Sequence, residues 1–444
     1  MSHPSSTRYA IHTFGCKVNT YDTGLLEKRL STAGFARGGE APHVHILNTC
    51  AVTAEATKEA QRWIRRIKAK DPLALVVVTG CAAQVDTDRF AGMKGADLIV
   101  ANSHKGQLED LIRQHYSGQL KERIFKSNIF KKLDLEEGGG LESQHTRTFL
   151  KIQDGCNSFC TYCVIPFARG KSRSLPLDTL VRRIQELESQ GVGEVVLTGV
   201  HIGDYLDEKY GSQAGPEVLL KEILKRTQMG RIRVSSLEPL EVSDELLEIY
   251  QDPRMCPHFH MSIQSACGKI LHDMKRQYTA KDVETSLQQI YDRVPGVFVG
   301  MDVIAGFPGE TPEDFKETLD RLRALPWTRI HVFPYSERPG TYAARLPDRL
   351  QRAEIMARSK DLRELSSDRY ACEALAQIGS LKKVLTLAGQ GAQGLSRDYW
   401  PVQIEGPSLS PGQELSVRIL GYDHSDQGRM EGCLRGQVEI DATH

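Results

Sequence analysis

The sequence predicts an α/β protein in three parts: an N-terminal open parallel sheet, a central run of βα units and a small C-terminal β-barrel. Three observations carry this. Strand and helix signals alternate over the first 130 residues. Six strand-like segments, with helical stretches between them, recur from Thr148 to about Ser336. After a charged helical stretch, Asp348–Ala376, short strands follow, punctuated by Gly and Pro.

Each element has its own signal. In the first part, Tyr9–Thr13, Val44–Leu47, Leu73–Val78 and Asp97–Val100 read as strands, and Ala60, Trp63, Ile64 and Ile67 share one face of a helix. In open parallel sheets, ligands sit beyond the carboxyl ends of the strands. The stretch Asp134–Arg147, with acidic residues and Gly138-Gly139-Gly140, reads as a linker. The central strands are Phe149–Ile152, Glu194–Leu197, Ile232–Ser235, His258–Ser262, Val297–Ile304 and Arg329–Phe333. Six units are too few for a closed eight-fold barrel. Lys382–Leu387, Trp400–Ile404, Glu414–Leu420 and Leu434–Ile440 are the strands of the last part. The expected boundaries are 1–132, a linker over 133–146, 147–372 and 373–444.

Composition narrows the class. A chain of 444 residues suits two or three domains, and 40% apolar with 26% charged residues is ordinary for a soluble globular protein. The zero net charge argues against non-specific attraction to nucleic acid, while leaving room for a local basic patch. The opening residues lack the apolar core of a signal peptide, and no apolar run approaches the roughly 20 residues of a membrane span. A cytoplasmic protein is expected, in which ten cysteines point to metal rather than disulfides. Cys256, Cys267, Cys372 and Cys433 are scattered and read as structural.

The other six fall into two trios. Cys156, Cys160 and Cys163 stand as Cys-x3-Cys-x2-Cys in one loop after the first central strand, the end at which barrel enzymes place their chemistry. Three thiolates there suit three irons of a cubane [4Fe–4S] cluster and leave the fourth iron open. A closed electron-transfer cluster takes four cysteines, and structural zinc also takes four ligands. No fourth Cys or His lies within ten residues downstream of Cys163, which disfavours zinc or a purely structural loop. Cys16, Cys50 and Cys81 each follow a successive strand of the first part. Buried cysteine often behaves as a small hydrophobe. The alternative is a second [4Fe–4S] site, since thiolates suit iron–sulfur ligation.

The spacing of the loop trio is that of the radical S-adenosylmethionine (SAM) enzymes. With Thr13-Phe14-Gly15-Cys16-Lys17-Val18-Asn19, Asn48-Thr49-Cys50, Thr79-Gly80-Cys81 and Ile152-Gln153-Asp154-Gly155-Cys156, nearly the whole chain resembles the methylthiotransferases. Within them it looks most like the tRNA enzymes acting on N6-threonylcarbamoyladenosine. The resemblance implies an open, partial (βα)6 radical SAM barrel, an N-terminal methylthiotransferase domain and a C-terminal TRAM-like domain. It also implies two [4Fe–4S] clusters. One would chelate SAM and cleave it to a 5′-deoxyadenosyl radical; the other, on Cys16, Cys50 and Cys81, would hold sulfur. One SAM would methylate that sulfur, and a second would start chemistry at C2 of adenine.

Family contacts with SAM map onto Gly199 in Thr198-Gly199-Val200-His201, Glu238 for the ribose hydroxyls, Gln264, Gly306 in Ile304-Ala305-Gly306-Phe307, and Tyr162 against the adenine. Glycines after strands are also ordinary turn residues. His201 reads as a hydrogen-bonding partner rather than a base, and His258, His260 and His331 as packing residues. Arg169, Lys171 and Arg173 follow the cluster loop and are candidates to hold phosphate or a substrate carboxylate at the mouth. A solvated loop is the alternative. Arg338 in Ser336–Thr341 is a second rim candidate.

For RNA, Arg62, Arg65, Arg66, Lys68 and Lys70 crowd one helix, and Arg397 neighbours Tyr399 and Trp400, a cation beside stacking surfaces. A solvated helix face and a barrel core are the respective alternatives. The implied substrate is adenosine 37 of tRNA, in the anticodon loop, already carrying threonylcarbamoyl; Lys17, Gln153-Asp154 and Thr198–Gly203 favour it over isopentenyladenosine. An external electron donor and a sulfur donor are implied, and neither DNA nor a membrane is an expected partner. The reading from another class is an RNA-binding iron–sulfur redox sensor, which would make no 5′-deoxyadenosine. The SAM-pocket segments argue against it.

Overall fold

The structure, a computed structural model, describes residues 7–39, 41–137, 146–211, 214–388, 392–406, 409–424 and 432–439. The middle of the expected linker, 138–145, and residue 440 of the last expected strand lie outside the described residues.

The N-terminal part is a six-stranded parallel sheet in the order Ala36–Arg37, Arg8–Thr13, Val44–Thr49, Leu75–Gly80, Leu98–Ala101 and Ile124–Phe125. The four expected strands are its centre. The two-residue edge strands were not anticipated, because two residues carry no period. Leu75–Gly80 is buried throughout, as befits a strand covered on both faces. It begins two residues later than expected, since Leu73 is 95% exposed. Helix Ala54–Lys70 is capped by the Thr53 hydroxyl, which accepts from the Ala56 N–H at 3.2 Å, and buries Thr57, Ala60, Ile64 and Ile67. Trp63 is only half-buried and packs beside the His12 ring.

The central part has six parallel strand positions: Arg147–Lys151, Glu194–Thr198, Ile232–Val234 continued by Ser236–Leu237, His258–Gln264, Phe298–Ala305 and Arg329–Pro334. The third breaks at Ser235, dividing the sheet into three- and four-stranded sections. The first and last strands do not pair, so the barrel is open. Helix Lys17–Thr32 of the N-terminal part packs on the first strand, and its Tyr21 enters the barrel core. Helix Arg352–Leu375 lies over the last two strands, where the Ser366 hydroxyl accepts from the Ile330 N–H at 2.9 Å. That helix runs through the expected boundary at 372/373.

The C-terminal part is a closed five-stranded barrel: Leu381–Thr386, Gln393–Ser396, Pro401–Glu405, Cys433–Val438 and Glu414–Asp423. Gln393–Ser396 was not anticipated; it is short and carries Gly394, which lies against Val384. The small barrel docks on the amino ends of the central strands. There Glu194 accepts from Arg147, Arg231 and Arg233, while Arg231 also reaches Glu414 and the Leu395 carbonyl.

This docking corrects the expectation for the tail. Trp400 is 3% exposed and packs edge-on against Phe298, 5.1 Å between ring centroids. Tyr399 lies between His258 and the Arg233 guanidinium, 4.0 and 4.9 Å away. Arg397 pairs with Glu414 and donates to the Pro253 carbonyl. These three residues join two barrels and offer RNA no stacking face.

Candidate active site

The loop trio is shaped by backbone geometry. Gly155 has φ +78°, and a Cβ there would lie 2.1 Å from the Lys171 carbonyl oxygen, so only glycine lets the cluster loop lie against the following segment. The loop is fastened at its middle, where Thr161 donates to the Met274 and Asp273 carbonyls at 3.0 and 2.9 Å. Cys156, Cys160 and Cys163 line one cavity of about 250 Å³ at the carboxyl end of the barrel. Burial pushes the Cys163 thiol up to about 12 and also raises Cys160, where Arg276 opposes it. Cys156 differs: burial would raise it, but hydrogen bonds from His201 and Ser158 hold it below the ordinary thiol value.

Of the residues expected to touch SAM, Tyr162, Glu238 and Gln264 line this cavity, together with Val200, His201 and Ile304. Gly199 and Gly306 stand behind the lining. Gly199 belongs to a turn pinned by Gln153, whose Oε1 accepts from the Val200 and His201 N–H groups at 3.0 and 2.9 Å. Gly306, φ +76°, makes room for Ile355, which a Cβ would meet at 2.7 Å. His201 Nε2 lies 2.6 Å from Glu241, and Nδ1 lies 3.3 Å from Asp204. Burial would lower this imidazole, but those bonds raise it far above its usual value, in keeping with a hydrogen-bonding partner. Burial lowers His331 to about 4 and also lowers His258, which suits packing. Arg276 was missed by the sequence reading because no motif surrounds it. Its guanidinium reaches Glu238 at 2.5 Å, Cys160 Sγ at 3.0 Å and the Tyr162 hydroxyl at 3.4 Å.

The second trio is assembled from three strand ends. Gly15 and Gly80 precede Cys16 and Cys81 with φ +95° and +92°. A Cβ on Gly15 would stand 2.5 Å from Cys50 Cβ, and one on Gly80 would stand 2.4 Å from the Thr49 carbonyl oxygen. Glycine at both positions lets the three turns close on one another. Cys50 and Cys81 are buried and Cys16 is exposed. Burial, then the Cys81 and Cys16 sulfurs, pushes the Cys50 thiol up to about 12; burial also raises Cys81, which Arg169 draws back. Val52 and Thr53, just after Cys50, line the cavity of the loop trio, and the Ala54 N–H donates to the Ser336 hydroxyl of the barrel rim at 3.0 Å. The turn after Cys50 therefore borders the cavity of the loop trio, while Cys16, Cys50 and Cys81 themselves do not line it.

Donor chemistry at both trios fits iron–sulfur clusters. All six are thiols, the usual ligands of such clusters. A single zinc ion draws its ligands to about 2.0–2.3 Å. Among the described residues, the one group of three such ligand atoms within 4.8 Å is Cys156, His201 and Asp204. Neither trio gathers its three sulfurs that tightly, so neither is arranged around a single ion.

The cations expected at the mouth are placed differently. Arg169 is 3% exposed and bonds Asp154, Asp22 and the Asn19 side chain. Arg338, also 3% exposed, pairs with Asp86 of the N-terminal part at 2.5 Å. Arg173 donates to the Arg169 and Lys171 carbonyls. All three are committed inside the protein, because the N-terminal part covers the surface where a rim would lie. Of the three cations after the cluster loop, Lys171 is the exposed one. On helix Ala54–Lys70, Arg62, Arg65, Arg66 and Lys70 are exposed, while Lys68 pairs with Asp97 at 2.7 Å.

Known proteins bear on this arrangement. Residues 150–322 match the family described as the Radical SAM superfamily, and residues 8–101 match Uncharacterized protein family UPF0004. A protein of Aquifex aeolicus named threonylcarbamoyladenosine tRNA methylthiotransferase MtaB is 35% identical over 404 residues, 90% of this chain and 97% of its own length. The chain belongs to the radical SAM methylthiotransferase family. A Bacillus subtilis relative of the same name is 32% identical, covering 94% of this chain and 95% of its own. A Maricaulis maris relative named tRNA-2-methylthio-N(6)-dimethylallyladenosine synthase is 30% identical, covering 97% of each. Among solved structures, the radical SAM methyltransferase TsrM of Kitasatospora setae superposes with a TM-score of 0.55 at 17% identity, over 74% of this chain and 75% of that one. This last likeness concerns the fold. As a radical SAM methylthiotransferase, the protein is an enzyme whose family fold requires SAM and a [4Fe–4S] cluster. Among the described residues, no helix is long and apolar enough to cross a membrane.

Proposed function

We propose that this enzyme adds a methylthio group to C2 of N6-threonylcarbamoyladenosine at position 37 of tRNA, using two [4Fe–4S] clusters. The observation that carries the reading is the closeness of the two trios: Val52 and Thr53, in the turn after Cys50, line the cavity of Cys156, Cys160 and Cys163. When bound, the clusters and SAM supply an electron, a carbon-centred radical and the transferred sulfur. The chain's own residues bind and orient. Glu238, held by Arg276, and Tyr162 offer a polar and an aromatic contact for the nucleoside half of SAM. Gln153 fixes the turn at Gly199. The loop after Cys50 is latched to the barrel rim at Ser336, which holds the strand-end trio against the cavity.

Lys17 follows Cys16 and opens helix Lys17–Thr32 beside the strand-end trio. A cation there suits a substrate bearing a carboxylate better than an apolar isopentenyl group. In this reading, residues 1–132 donate sulfur, 147–372 generate the radical and 373–444 brace the barrel; exposed Lys171 and the basic face of helix Ala54–Lys70 meet phosphates. The electron and sulfur donors are separate partners.

The test is mass spectrometry of nucleosides from a strain lacking the protein, with and without its return. The expected result is loss and restoration of 2-methylthio-N6-threonylcarbamoyladenosine. Restoration of 2-methylthio-isopentenyladenosine instead would overturn the substrate assignment.

A further inference from the structure

Five charged side chains meet where the N-terminal sheet joins the barrel: Lys105, Lys151, Arg169, Asp22 and Asp154, none more than 8% exposed. Asp22 receives Lys151 at 2.6 Å, and Lys105 and Arg169 at 3.1 Å each. Asp154 receives Arg169 at 2.9 Å and Lys151 at 3.1 Å. Three cations thus face two carboxylates; Arg173, 3.9 Å from Asp154, is also drawn by Asp134 and does not enter that count. Two other carboxylates along this join are more exposed: Asp134 pairs with Lys132 and also faces Arg173, and Glu136, which lines a small cavity with Lys105, Lys151 and Arg169, pairs with Arg29. An uncompensated buried charge is strongly unfavourable. Amide oxygens of Asn19 and Asn48 solvate Arg169 and Lys105, but they carry no charge.

The surplus is aimed at the strand-end trio. Arg169 Nη2 bonds Asn19 Oδ1 at 2.6 Å, and that same oxygen lies 4.0 Å from Cys81 Sγ. The Asn102 side-chain amide lies 3.7 Å from Cys81 Sγ and donates to the Ala168 carbonyl at 3.0 Å. The short helices Cys81–Val85 and Ile165–Arg169 pack on each other, so the segment that follows the loop trio supports the second trio. At its other side, Arg169 holds Asp154, two positions before Cys156. As free thiols, the three cysteines cannot offset this charge. As metal-bound thiolates they can, since ligation releases their protons.

We infer that the buried cations Arg169, Lys105 and Lys151 are the counter-charge of an anionic metal–thiolate group on Cys16, Cys50 and Cys81, with Arg169 as the positioning residue that ties this group to the loop trio. The inference rests on the two-cluster reading and adds to it a charge requirement.

The experiment uses the full chain, reconstituted anaerobically with iron and sulfide. Iron content, the midpoint potential of the second cluster and the gain in melting temperature on reconstitution are measured for the parent, Arg169→Gln, Arg169→Lys and Lys105→Gln. The parent is expected to hold about eight irons, two cubanes. Arg169→Gln should fall toward about four irons, or keep both clusters with the second at a more negative potential, because a neighbouring positive charge favours the reduced form. Lys105→Gln should shift the same way by less, and Arg169→Lys should restore most of the loss. The melting gain on reconstitution should shrink in both glutamine variants, while their metal-free forms melt no lower than the parent. A full iron complement with unchanged potential in both glutamine variants would overturn the inference. A parent that binds only about four irons and is fully active would instead overturn the two-cluster reading itself.

Discussion

The barrel carries a buried ion cluster at each end, and the two differ in what closes them. At the amino ends, Glu194 gathers Arg147, Arg231 and Arg233, and the small barrel supplies Glu414 and backbone carbonyls. The edge of that cluster is wet: Arg147, Arg397 and Glu414 keep 19%, 25% and 29% of their side-chain surface. At the carboxyl ends, Asp22 and Asp154 gather Lys105, Lys151 and Arg169, with no side chain above 10% exposed and cysteines on both sides. One cluster glues two domains together; the other is buried beside two candidate metal sites. If the strand-end trio holds a metal–thiolate group, only the second cluster faces a group able to take up the opposite charge.

The largest expected effect tests the carboxyl end. Replacing Cys156, Cys160 and Cys163 with Ala should abolish 5′-deoxyadenosine formation from SAM under reducing conditions. Replacing Cys16, Cys50 and Cys81 with Ala should spare 5′-deoxyadenosine, stop methylthio transfer and remove about half of the bound iron, one cubane of two. Methylthiolated nucleoside made by the second variant would break the contrast between the trios.

Next come the glycines that let the strand ends meet. Gly80→Ala puts a methyl against the Thr49 carbonyl at a φ that L-residues rarely adopt. A loss of about 2–3 kcal/mol is expected, with selective loss of iron from the second trio. Gly155→Ala should do the same to the loop trio. Denaturant melts with iron counts on the same samples check both. An iron count unchanged in Gly80→Ala would show that the second trio tolerates a shift of its strand ends.

These two classes of variant also show what the sequence made legible. The loop trio could be read from spacing alone, because three ligands within one loop need no tertiary structure to be neighbours. The strand-end trio needed a parallel topology before Cys16, Cys50 and Cys81 could be brought together, and the alternation of strands and helices supplied it. Arg169, Arg338 and Arg397 were misplaced for a common reason. A cation in a loop or beside a strand looks solvent-facing in one dimension, and nothing local says that another domain will cover it. Asp22, Lys105 and Arg276 were missed because their partners lie far away in sequence, as with the 83 positions between Asp22 and Lys105. The short strands Ala36–Arg37, Ile124–Phe125 and Gln393–Ser396 escaped because they are defined by their neighbours rather than by a period of their own.

The amino-end cluster should affect stability alone. Burial would raise the Glu194 carboxyl, but the arginines around it hold it well below the usual carboxylate value. A depressed carboxylate contributes stability that is complete above its unfolded value, near 4.3, and is lost as pH falls through its folded value. The melting temperature should therefore be insensitive to Glu194 between about pH 6 and 8 and decline on acidification below about pH 4. Glu194→Gln should cost about 3 kcal/mol at neutral pH, since it strands buried arginines, and should flatten part of that acid decline. 5′-Deoxyadenosine formation per folded molecule should not change. An acid profile identical in the variant would assign the decline to other carboxylates.

The smallest effect separates glue from RNA contact. Arg397→Ala removes a partly exposed pair with Glu414, for which a loss of up to about 1 kcal/mol is expected. Because Arg397 faces Pro253 and Glu414 at the domain join, tRNA affinity should stay within about twofold of the parent and its salt dependence should not move. Arg65→Ala, on the exposed face of helix Ala54–Lys70, should instead weaken binding at low salt and make the salt slope shallower by about one charge. The pair is informative because both residues are arginines in basic surroundings and only their placement differs. If Arg397→Ala lost affinity and Arg65→Ala did not, RNA would approach from the amino ends of the barrel, and the cavity at the carboxyl ends could not receive its base.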